Sequence, residues 1–421
     1  MSDIRSASNA RSTTAPRELR IDRLLIQKAV GSRLTPIAPN AYASYRGYHN
    51  EDRVFRVRAG EFEGIGHGFH APDEKVLNQL LGVNPFELFE WSEGDTIVGP
   101  AEKYATFFDE NRWCDVALLD LLGQVLKRPL FQLLGQRVRD EVRIYDSSLY
   151  MEDLLTPEER VGLIYLNGTP TVDATEMVAR KAEWVLSRPE GFTMLKLKTG
   201  RAKWLPSFEE ALERDIAVTQ AVQRAIGSQT TLLVDTNKGY AERPLATCDY
   251  MAAVGDVFLL EEPFPETDVE NLQEVKSRLH ASGNRALLAA GESFYGGIPE
   301  HVVSEMVTID GKSKPLLDVE QADMNQNGVL GIMKIAKARQ ELGIAIAPHN
   351  FGSKLGFYSQ IHVGMVIPNW LFAEVDDSQV PALQAHGVSI SRGYAHLTGE
   401  AGLGVSLDDA TLEAPSLRLE L

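Results

Sequence analysis

The stretch GFTMLKLKTG, residues 191–200, combines the pattern of a buried strand with two charged side chains. Its apolar residues predict a strand in the core, yet Lys196 and Lys198 are two positions apart and therefore project from the same face. Two neighbouring ammonium groups lower each other's pKa, and burying them requires anionic partners. The stretch therefore predicts a strand whose end lies beside carboxylates.

Apolar runs of this kind recur between residues 141 and 384, separated by amphipathic stretches of helix length such as EEALERDIAVTQAVQRAIG. The strand candidates are VRIYDSS, TMLKLK, TLLVDTN, VFLLEEP, ALLAAGES, LLDVEQAD, IAIAPHN and WLFAEVD. Alternating strands and helices predict a parallel sheet, and eight such units predict a (β/α)8 barrel. In such a barrel, the chemistry lies at the carboxyl ends of the strands.

The regions on either side of the barrel have a different pattern. Glycine-interrupted strand runs up to about residue 70, followed by a helical stretch that stops at Gly135, predict an α+β first domain over residues 19–140. Short strands and turns over residues 385–421 predict a segment that returns to this domain. Residues 1–18 have no apolar secretory core and predict a disordered tail, with a transit peptide as the alternative.

Composition disfavours several classes of function. The net charge of -17 repels a phosphate backbone, so we expect no nucleic-acid partner. No apolar run approaches the roughly 18 residues that a membrane span needs. Cys114 and Cys248 are too few for a disulfide framework. We therefore expect a soluble, cytoplasmic protein with no membrane partner.

Polar or ionisable side chains stand at the ends of successive strand candidates. In chain order they are Lys196 and Lys198, Asp235 and Asn237, Glu261, Glu292, Asp323, His349 and Glu374. A single carboxylate after a strand more often caps the next helix, but the joint pattern predicts one site. If the barrel closes, Asp235, Glu261 and Glu292 converge, and a cluster of carboxylate oxygens without thiolates suits Mg2+.

A divalent cation beside a lysine pair favours removal of a proton next to a carboxylate. Such a proton is weakly acidic, and the cation stabilises the enolate that forms. We predict Lys198 as the base, its pKa lowered by Lys196 and by the metal, and Lys196 as a contact for the substrate carboxylate. His349 is the predicted second acid or base, oriented by Asp323.

The ordered motifs of nearly the whole chain resemble those of the enolase superfamily, and within it the mandelate racemase subgroup. They are ALLDLLGQVLKRPLFQLLG (117–135), KLK (196–198), VDTN (234–237), EEP (261–263), GES (291–293), APHN (347–350), AEVD (373–376) and AGLGV (401–405). The resemblance implies an α+β capping domain, built from the N-terminal region and the C-terminal segment, over a modified (β/α)8 barrel.

The resemblance also implies roles for individual residues. Mg2+ is expected on the three carboxylates, with Lys198 and His349 as bases on opposite faces of the substrate and Asn237 near the metal. Glu374 is expected to donate a hydrogen bond to the substrate carboxylate. One departure leaves the partner of His349 open. In QADMNQNGVLG (321–331), Gly328 stands alone where the family usually has two adjacent glycines, so Ala322 or Asp323 occupies the aspartate position. A second departure is the segment 300–318, which is longer than the usual connection in the family. It is interpreted as a lid, as an oligomer contact or as a connection without function.

Among proteins that this chain resembles, a lysine on the second strand with a histidine on the seventh is associated with dehydration of an acid sugar to a 2-keto-3-deoxy acid. Racemisation or epimerisation of a 2-hydroxy acid is the alternative. Cycloisomerase-type relatives are disfavoured because they have a lysine after the sixth strand and this chain has none there. Metal-dependent hydrolases are disfavoured because they have an HxH motif after the first strand, where this chain has IYDSS. A non-catalytic descendant is disfavoured because every ligand position is filled.

Substrate selection in this family lies in loops of the capping domain. The stretch NAYASYRGYHNED (40–52) is polar and aromatic, and we predict that Arg46, Tyr48 or His49 reaches a distal hydroxyl or carboxylate. An arginine there suits a diacid, and an ordinary surface loop is the alternative. The predicted partners are a small-molecule carboxylate and further copies of the chain in a homo-oligomer.

Overall fold

The computed structural model describes residues 19–68, 73–166 and 173–421, so the predicted tail over residues 1–18 lies outside the described residues. Two parts follow one another along the chain: an antiparallel sheet with helices, and a closed parallel barrel. Among the helices in the described ranges, none is both long and apolar enough to cross a membrane.

The first part of the chain forms the small antiparallel sheet that was predicted. Its strands, with a separate hairpin that was not predicted, are β1 (Arg23–Ile37), β2 (Gly47–Ala59), β3 (Phe62–His67), β4 (Phe89–Trp91) and β5 (Ile97–Pro100). The central strand β2 pairs with β1 on one side and β3 on the other, and β4 pairs with β5.

The described residues of this part of the chain also form helices. They are α1 (Glu74–Leu77), α2 (Ala105–Glu110), α3 (Asp115–Leu126) and α4 (Leu130–Leu134). One of them, α3, packs on β2 and β3 of the sheet. The single helical pattern of the sequence is divided between α3 and α4, because Lys127 takes a left-handed φ of 53° and Pro129 cannot continue α3. Gly135 ends α4, as predicted.

The barrel contains all the predicted strands. They are β6 (Val142–Leu149), β7 (Met194–Lys198), β8 (Thr231–Asp235), β9 (Leu259–Glu261), β10 (Leu287–Ala290) and, after a hairpin of β11 (Met306–Ile309) and β12 (Lys312–Pro315), β13 (Val319–Glu320), β14 (Ala345–Ile346) and β15 (Ala373–Val375). The helices between them are α5 (Ala174–Leu186), α6 (Phe208–Ile226), α7 (Ala246–Val254), α8 (Val269–Ala281), α9 (Glu300–Val303), α10 (Met324–Leu342) and α11 (Lys354–Gly364).

The barrel closes between its last strands and its first. Strand β15 runs parallel to β6, and the backbone of Ile346 bonds to Asn369 and Leu371, at 2.9 and 2.8 Å. Each barrel strand or its immediate end contributes one apolar side chain to a buried inner layer: Tyr145, Met194, Leu233, Leu259, Ala289, Val319, Ala347 and Phe372. Residues two positions further along each strand point the same way and form the next layer toward the carboxyl ends.

The eighth strand is the point at which the barrel departs from a regular (β/α)8 pattern. The chain leaves β15 for β16 (Ser378–Gln379), β17 (Leu383–Ala385), β18 (Val388–Ser391), β19 (Tyr394–Leu397), β20 (Val405–Leu407) and β21 (Leu417–Glu420). Strands β16 and β21 pair with β1 of the antiparallel sheet in the first part of the chain, which we call the capping sheet, whereas β19 pairs with β6 of the barrel. The domain boundaries near residues 140 and 384 stay predictions.

The long segment 300–318 forms α9 and the β11–β12 hairpin on the outside of the barrel. The hairpin packs along α8, where the Lys276 ammonium donates to the carbonyl of Pro315 at 2.7 Å and His280 lies 3.7 Å from Asp310. These contacts place the hairpin beside a barrel helix.

Asp115 of the capping domain fixes the helix that follows β13. Its carboxylate accepts the backbone N–H groups of Val329 and Leu330 at 3.0 and 2.7 Å, where Gly328, with a φ of 62°, interrupts α10. Burial raises the pKa of Asp115 to about 7. A side chain at position 328 would meet Asp115 and the Arg112 backbone, so this close approach requires glycine.

Candidate active site

Three carboxylates from adjacent strands meet at the carboxyl end of the barrel. Asp235 ends β8, Glu261 ends β9, and Glu292 follows β10, with one ligand oxygen from each lying within 4.8 Å of the others. Asp235 and Glu261 are buried and Glu292 is half-buried. One oxygen of Glu292 is enclosed without a hydrogen-bond partner. This oxygen-only set fits a hard divalent cation.

Lys196 lies at the centre of the charged group. Its ammonium is 3.1 Å from Glu261, 3.6 Å from Asp235 and 2.9 Å from Glu374, and its side chain is fully buried. Burial by itself lowers the pKa of Lys196, but Glu261 and Glu374 outweigh it and hold the pKa well above the ordinary value. The anionic partners that the sequence required are therefore present.

Lys198 donates a short hydrogen bond to Asp235. Burial acts to lower the pKa of Lys198, but the attraction of Asp235, together with Glu292 and Glu261, outweighs burial and the repulsion of Lys196 and raises it. The lowered pKa was predicted for the site with a bound metal and stays a prediction. Burial acts to raise the pKa of Asp235, yet the two lysines prevail and lower it to about 2. Burial and the nearby Asp235 raise the pKa of Glu261 to about 8.

The balance of charge supports a cation site. Four carboxylates, those of the cluster and Glu374, face the ammonium groups of Lys196 and Lys198. Two negative charges are then left over when all are ionised, and a divalent cation would neutralise them.

His349 and Asp323 form a close pair on the other side of the cluster. Nδ1 of His349 is 2.7 Å from Asp323, and Nε2 is 3.4 Å from the enclosed oxygen of Glu292. The second oxygen of Asp323 accepts the N–H of Gln326 at 2.7 Å and caps α10. Asp323, and not Ala322, is thus the residue beside His349. Burial acts to lower the pKa of His349, but Glu292 and Asp323 outweigh it and raise the pKa to about 10.

Glu374 and Asn237 border the same group of charges. Glu374 accepts the backbone N–H of Asn350 at 2.9 Å. Burial acts to raise the pKa of Glu374, but Lys196, His349 and this N–H together outweigh burial and lower the pKa, which favours the ionised form. Its expected role as a hydrogen-bond donor would need a proton and stays a prediction. Asn237 donates from its amide to Asp235 at 3.3 Å, and its own side-chain oxygen is buried without a partner.

The three capping-domain candidates lie in different surroundings. Arg46 stacks on Phe351, two residues beyond His349, with 4.9 Å from the guanidinium carbon to the ring centroid. His49 is exposed and lies 3.9 Å from Glu51. Burial, with smaller effects of Tyr45 and Asp377, raises the pKa of Tyr48. Arg46 is thus the candidate that contacts the loop carrying His349.

Two site residues were not predicted from the sequence. Gln321 donates from its amide to Glu261 at 2.9 Å, and the Lys196 ammonium lies 5.4 Å above the ring of the fully buried Tyr145. Gln321 stands two positions beyond Val319 of the inner layer, so strand periodicity was the signal that would have found it.

Glu262, next to Glu261 in the chain, lies outside the cluster. Glu262 has a left-handed φ of 42°, and its carboxylate lies 3.5 Å from the ammonium of Lys238. The same ammonium is 3.2 Å from Glu266, so Glu262 faces Glu266 and not the cluster. The two glutamates of the EEP motif therefore serve different sites, as strand alternation predicts.

The profile of the family described as Enolase C-terminal domain-like matches residues 177–411, more than half of the chain. The chain belongs to the enolase superfamily. The family predicted from the ordered motifs is thereby confirmed, and the barrel with its capping domain is the fold expected of this superfamily.

Individual proteins are similar to this enolase-superfamily chain over most of its length. A D-xylonate dehydratase from Haloferax volcanii is 26% identical over 359 residues, 83% of this chain and 80% of that protein. A hydrophobic dipeptide epimerase from Enterococcus faecalis is 24% identical over 78% of this chain and 79% of its own. The crystal structure of a galacturonate dehydratase from Geobacillus sp. covers 93% of this chain and 95% of its own, with a TM-score of 0.76 and 23% identity. At that identity, the likeness shows the fold.

Proposed function

We propose that this chain is a Mg2+-dependent lyase that removes water from an acid sugar to give a 2-keto-3-deoxy acid. The observation that carries the proposal is the position of the carboxylate cluster between two proton-transfer groups: Lys198 contacts Asp235 on one side, and His349 adjoins Glu292 on the other. The similarity to a D-xylonate dehydratase supports the reaction class.

Asp235, Glu261 and Glu292 are the residues that would hold Mg2+. Bound there, Mg2+ would supply positive charge that stabilises an enolate of the substrate carboxylate. Lys196, fully buried beside Glu261, adds a fixed positive charge for the same carboxylate.

The proton transfers belong to the residues of the chain. Lys198 accepts the α-proton on Nζ only when its amine is neutral. Since the contact with Asp235 favours the charged amine, we expect Asp235 to turn from Lys198 toward the cluster in the working enzyme. Nε2 of His349 donates a proton to the departing β-hydroxyl, while Asp323 holds Nδ1. The C–H and C–O bonds break, water leaves, and the enol formed tautomerises to the 2-keto-3-deoxy acid.

Racemisation or epimerisation of a 2-hydroxy acid is the second candidate. It uses the same two residues, since the proton removed by one is returned by the other on the opposite face, and the similarity to a dipeptide epimerase favours it. Inversion at C2 without loss of water would identify this reaction.

A screen of aldonic, uronic and aldaric acids tests the proposal. We expect a 2-keto product, detected by NMR, in the presence of Mg2+, none after removal of metal by EDTA, and recovery when Mg2+ is added back. The variant Asp235→Asn is expected to require far more Mg2+ for half-maximal rate. Equal product formation with and without EDTA would remove the metal from the mechanism, and a panel with no product and no C2 exchange would contradict the activity itself.

A further inference from the structure

The loop between β1 and β2 lies over the carboxyl ends of the first two barrel strands. The carbonyl of Pro39 accepts the N–H of Met151 at 3.0 Å, just beyond β6. The carbonyl of Asn40 accepts the indole N–H of Trp204 at 2.7 Å, and that of Tyr42 accepts from Lys203 at 2.8 Å, both in the loop that follows Lys198. The barrel therefore fixes the position of this loop relative to Lys198.

Arg46 stands at the end of this loop, where the chain enters β2. Its backbone N–H donates to Ile37 at 2.9 Å, and its guanidinium stacks on Phe351, in the loop that carries His349. The loop thus extends from the side of Lys198 to the side of His349, with Arg46 at the second end. A stacked guanidinium is oriented by the ring and keeps its N–H donors free for a ligand.

Within the part of the chain that the structure describes, no carboxylate neutralises the positive charge of Arg46. Arg33 lies against the same ring, at 5.0 Å, but it is buried and pairs with Asp376 at 2.7 Å and Asp377 at 3.5 Å. Arg46 is exposed and makes no ion pair with any residue in the described ranges. In a chain with a net charge of -17, an unpaired arginine above the site is an available anion contact.

Tyr150 connects this arginine electrostatically with the base. Burial raises the pKa of Tyr150, at the end of β6, to about 12, and Arg33, Lys198 and Arg46 each act against burial by attracting the phenolate. Lys198 and Arg46 are therefore both close enough to Tyr150 to attract its phenolate.

We propose that Arg46 binds a second carboxylate of the substrate, so that the enzyme acts on an aldaric acid, a sugar with a carboxylate at each end. The inference rests on the proposed function, which places the reacting carboxylate at Lys196 and the cluster. The distal carboxylate then pairs with the fork of N–H donors on Arg46, a geometry that a guanidinium provides and an ammonium does not.

The test compares matched pairs of substrates: galactarate with galactonate, and glucarate with gluconate, all with Mg2+. We expect kcat/KM to favour the aldarate of at least one pair. Arg46→Met is expected to lower the ratio of aldarate to aldonate kcat/KM on the order of 100-fold, mainly through KM, and Arg46→Lys to give an intermediate ratio. Arg20→Met, which removes one exposed positive charge of the capping domain, is the control and should leave the ratio unchanged.

The outcomes separate this inference from the proposed function. Turnover of aldonates alone would overturn the role of Arg46 and leave the dehydratase proposal standing. Turnover of aldarates with an unchanged ratio in Arg46→Met would also overturn it. If neither class is turned over and neither shows C2 exchange, the proposed function fails first and the inference fails with it.

Discussion

The charges around Lys196 and Lys198 determine what the site can do. The sequence pattern predicted two ammonium groups that lower each other's pKa, but the structure gives each lysine a carboxylate at hydrogen-bond distance, and those carboxylates have the larger effect. The identity of the charged residues was readable from the sequence. The direction of the pKa shift without a bound metal was not, because it depends on which oxygen lies nearest to each nitrogen.

The residue that pairs with His349 could not be assigned from the sequence. Spacing along the chain left Ala322 and Asp323 open, because the family pattern does not fix the loop length. The contact of 2.7 Å between His349 and Asp323 depends on the end of β13 and the start of α10 lying beside the end of β14. Such a contact between separate strands cannot be derived from spacing within one of them.

Replacing Asp323 by asparagine tests its role in positioning His349. Asparagine still caps α10, so we expect the free energy of unfolding to change by less than about 0.5 kcal/mol. The substituted amide does not support the charged imidazole, and we expect kcat to fall by roughly 10²- to 10⁴-fold, with a shifted pH profile. Steady-state kinetics over a range of pH, together with urea unfolding, measure both effects.

Asp268→Asn is the matched control, because Asp268 caps α8 away from the site by accepting the N–H of Asn271. It should leave kcat and its pH profile unchanged. A normal kcat and pH profile in Asp323→Asn would show that Asp323 only caps a helix.

At the scale of elements, periodicity located the strands and their functional ends. Leu233 and Leu259 belong to the inner layer, and Asp235 and Glu261, two positions later, belong to the site. The same rule would have found Gln321. The division of the helical stretch before Gly135 was missed, although Pro129 marks it in the sequence.

Helix α11 is joined to the capping domain through a buried histidine. Nδ1 of His362 accepts the N–H of Phe131 in α4 at 3.2 Å, Nε2 lies 3.3 Å from the carbonyl of Leu403, and the residue is 1% exposed. Burial lowers the pKa of His362 from 6.5 to about 4. The native state therefore holds the neutral imidazole, whereas the unfolded chain binds a proton below about pH 6.5.

This histidine makes stability depend on pH. Its contribution is complete above about pH 6.5 and is lost as the pH falls toward 4, because protons then favour the unfolded state. Between pH 7 and pH 4, protonation of His362 lowers the free energy of unfolding of the wild type. We expect this fall to be about 3 kcal/mol smaller in His362→Gln. Urea unfolding at several pH values measures this difference. His386→Gln, at an exposed position, is the control, and identical pH slopes for wild type and His362→Gln would contradict the assignment.

At the scale of the whole molecule, the barrel supplies the proposed chemistry and the capping domain supplies the loop above it. The order of motifs was sufficient to predict the family and the fold. The placement of Arg46 above the site was not predictable in detail, because it depends on contacts between the loop of residues 38–46 and two barrel loops far away in sequence. The C-terminal segment contacts both parts of the molecule, because β21 pairs with β1 of the capping sheet and β19 pairs with β6 of the barrel.

The central claim is that this site ionises the C–H bond next to a carboxylate. The most direct measurement is solvent deuterium uptake at C2 of a turned-over acid sugar, followed by NMR in D2O with Mg2+. We predict that His349→Asn, which cannot assist the departing hydroxyl, still exchanges the C2 proton, that Lys198→Ala does not, and that EDTA abolishes exchange in both the wild type and His349→Asn. Exchange that persists in Lys198→Ala or in EDTA would contradict the account.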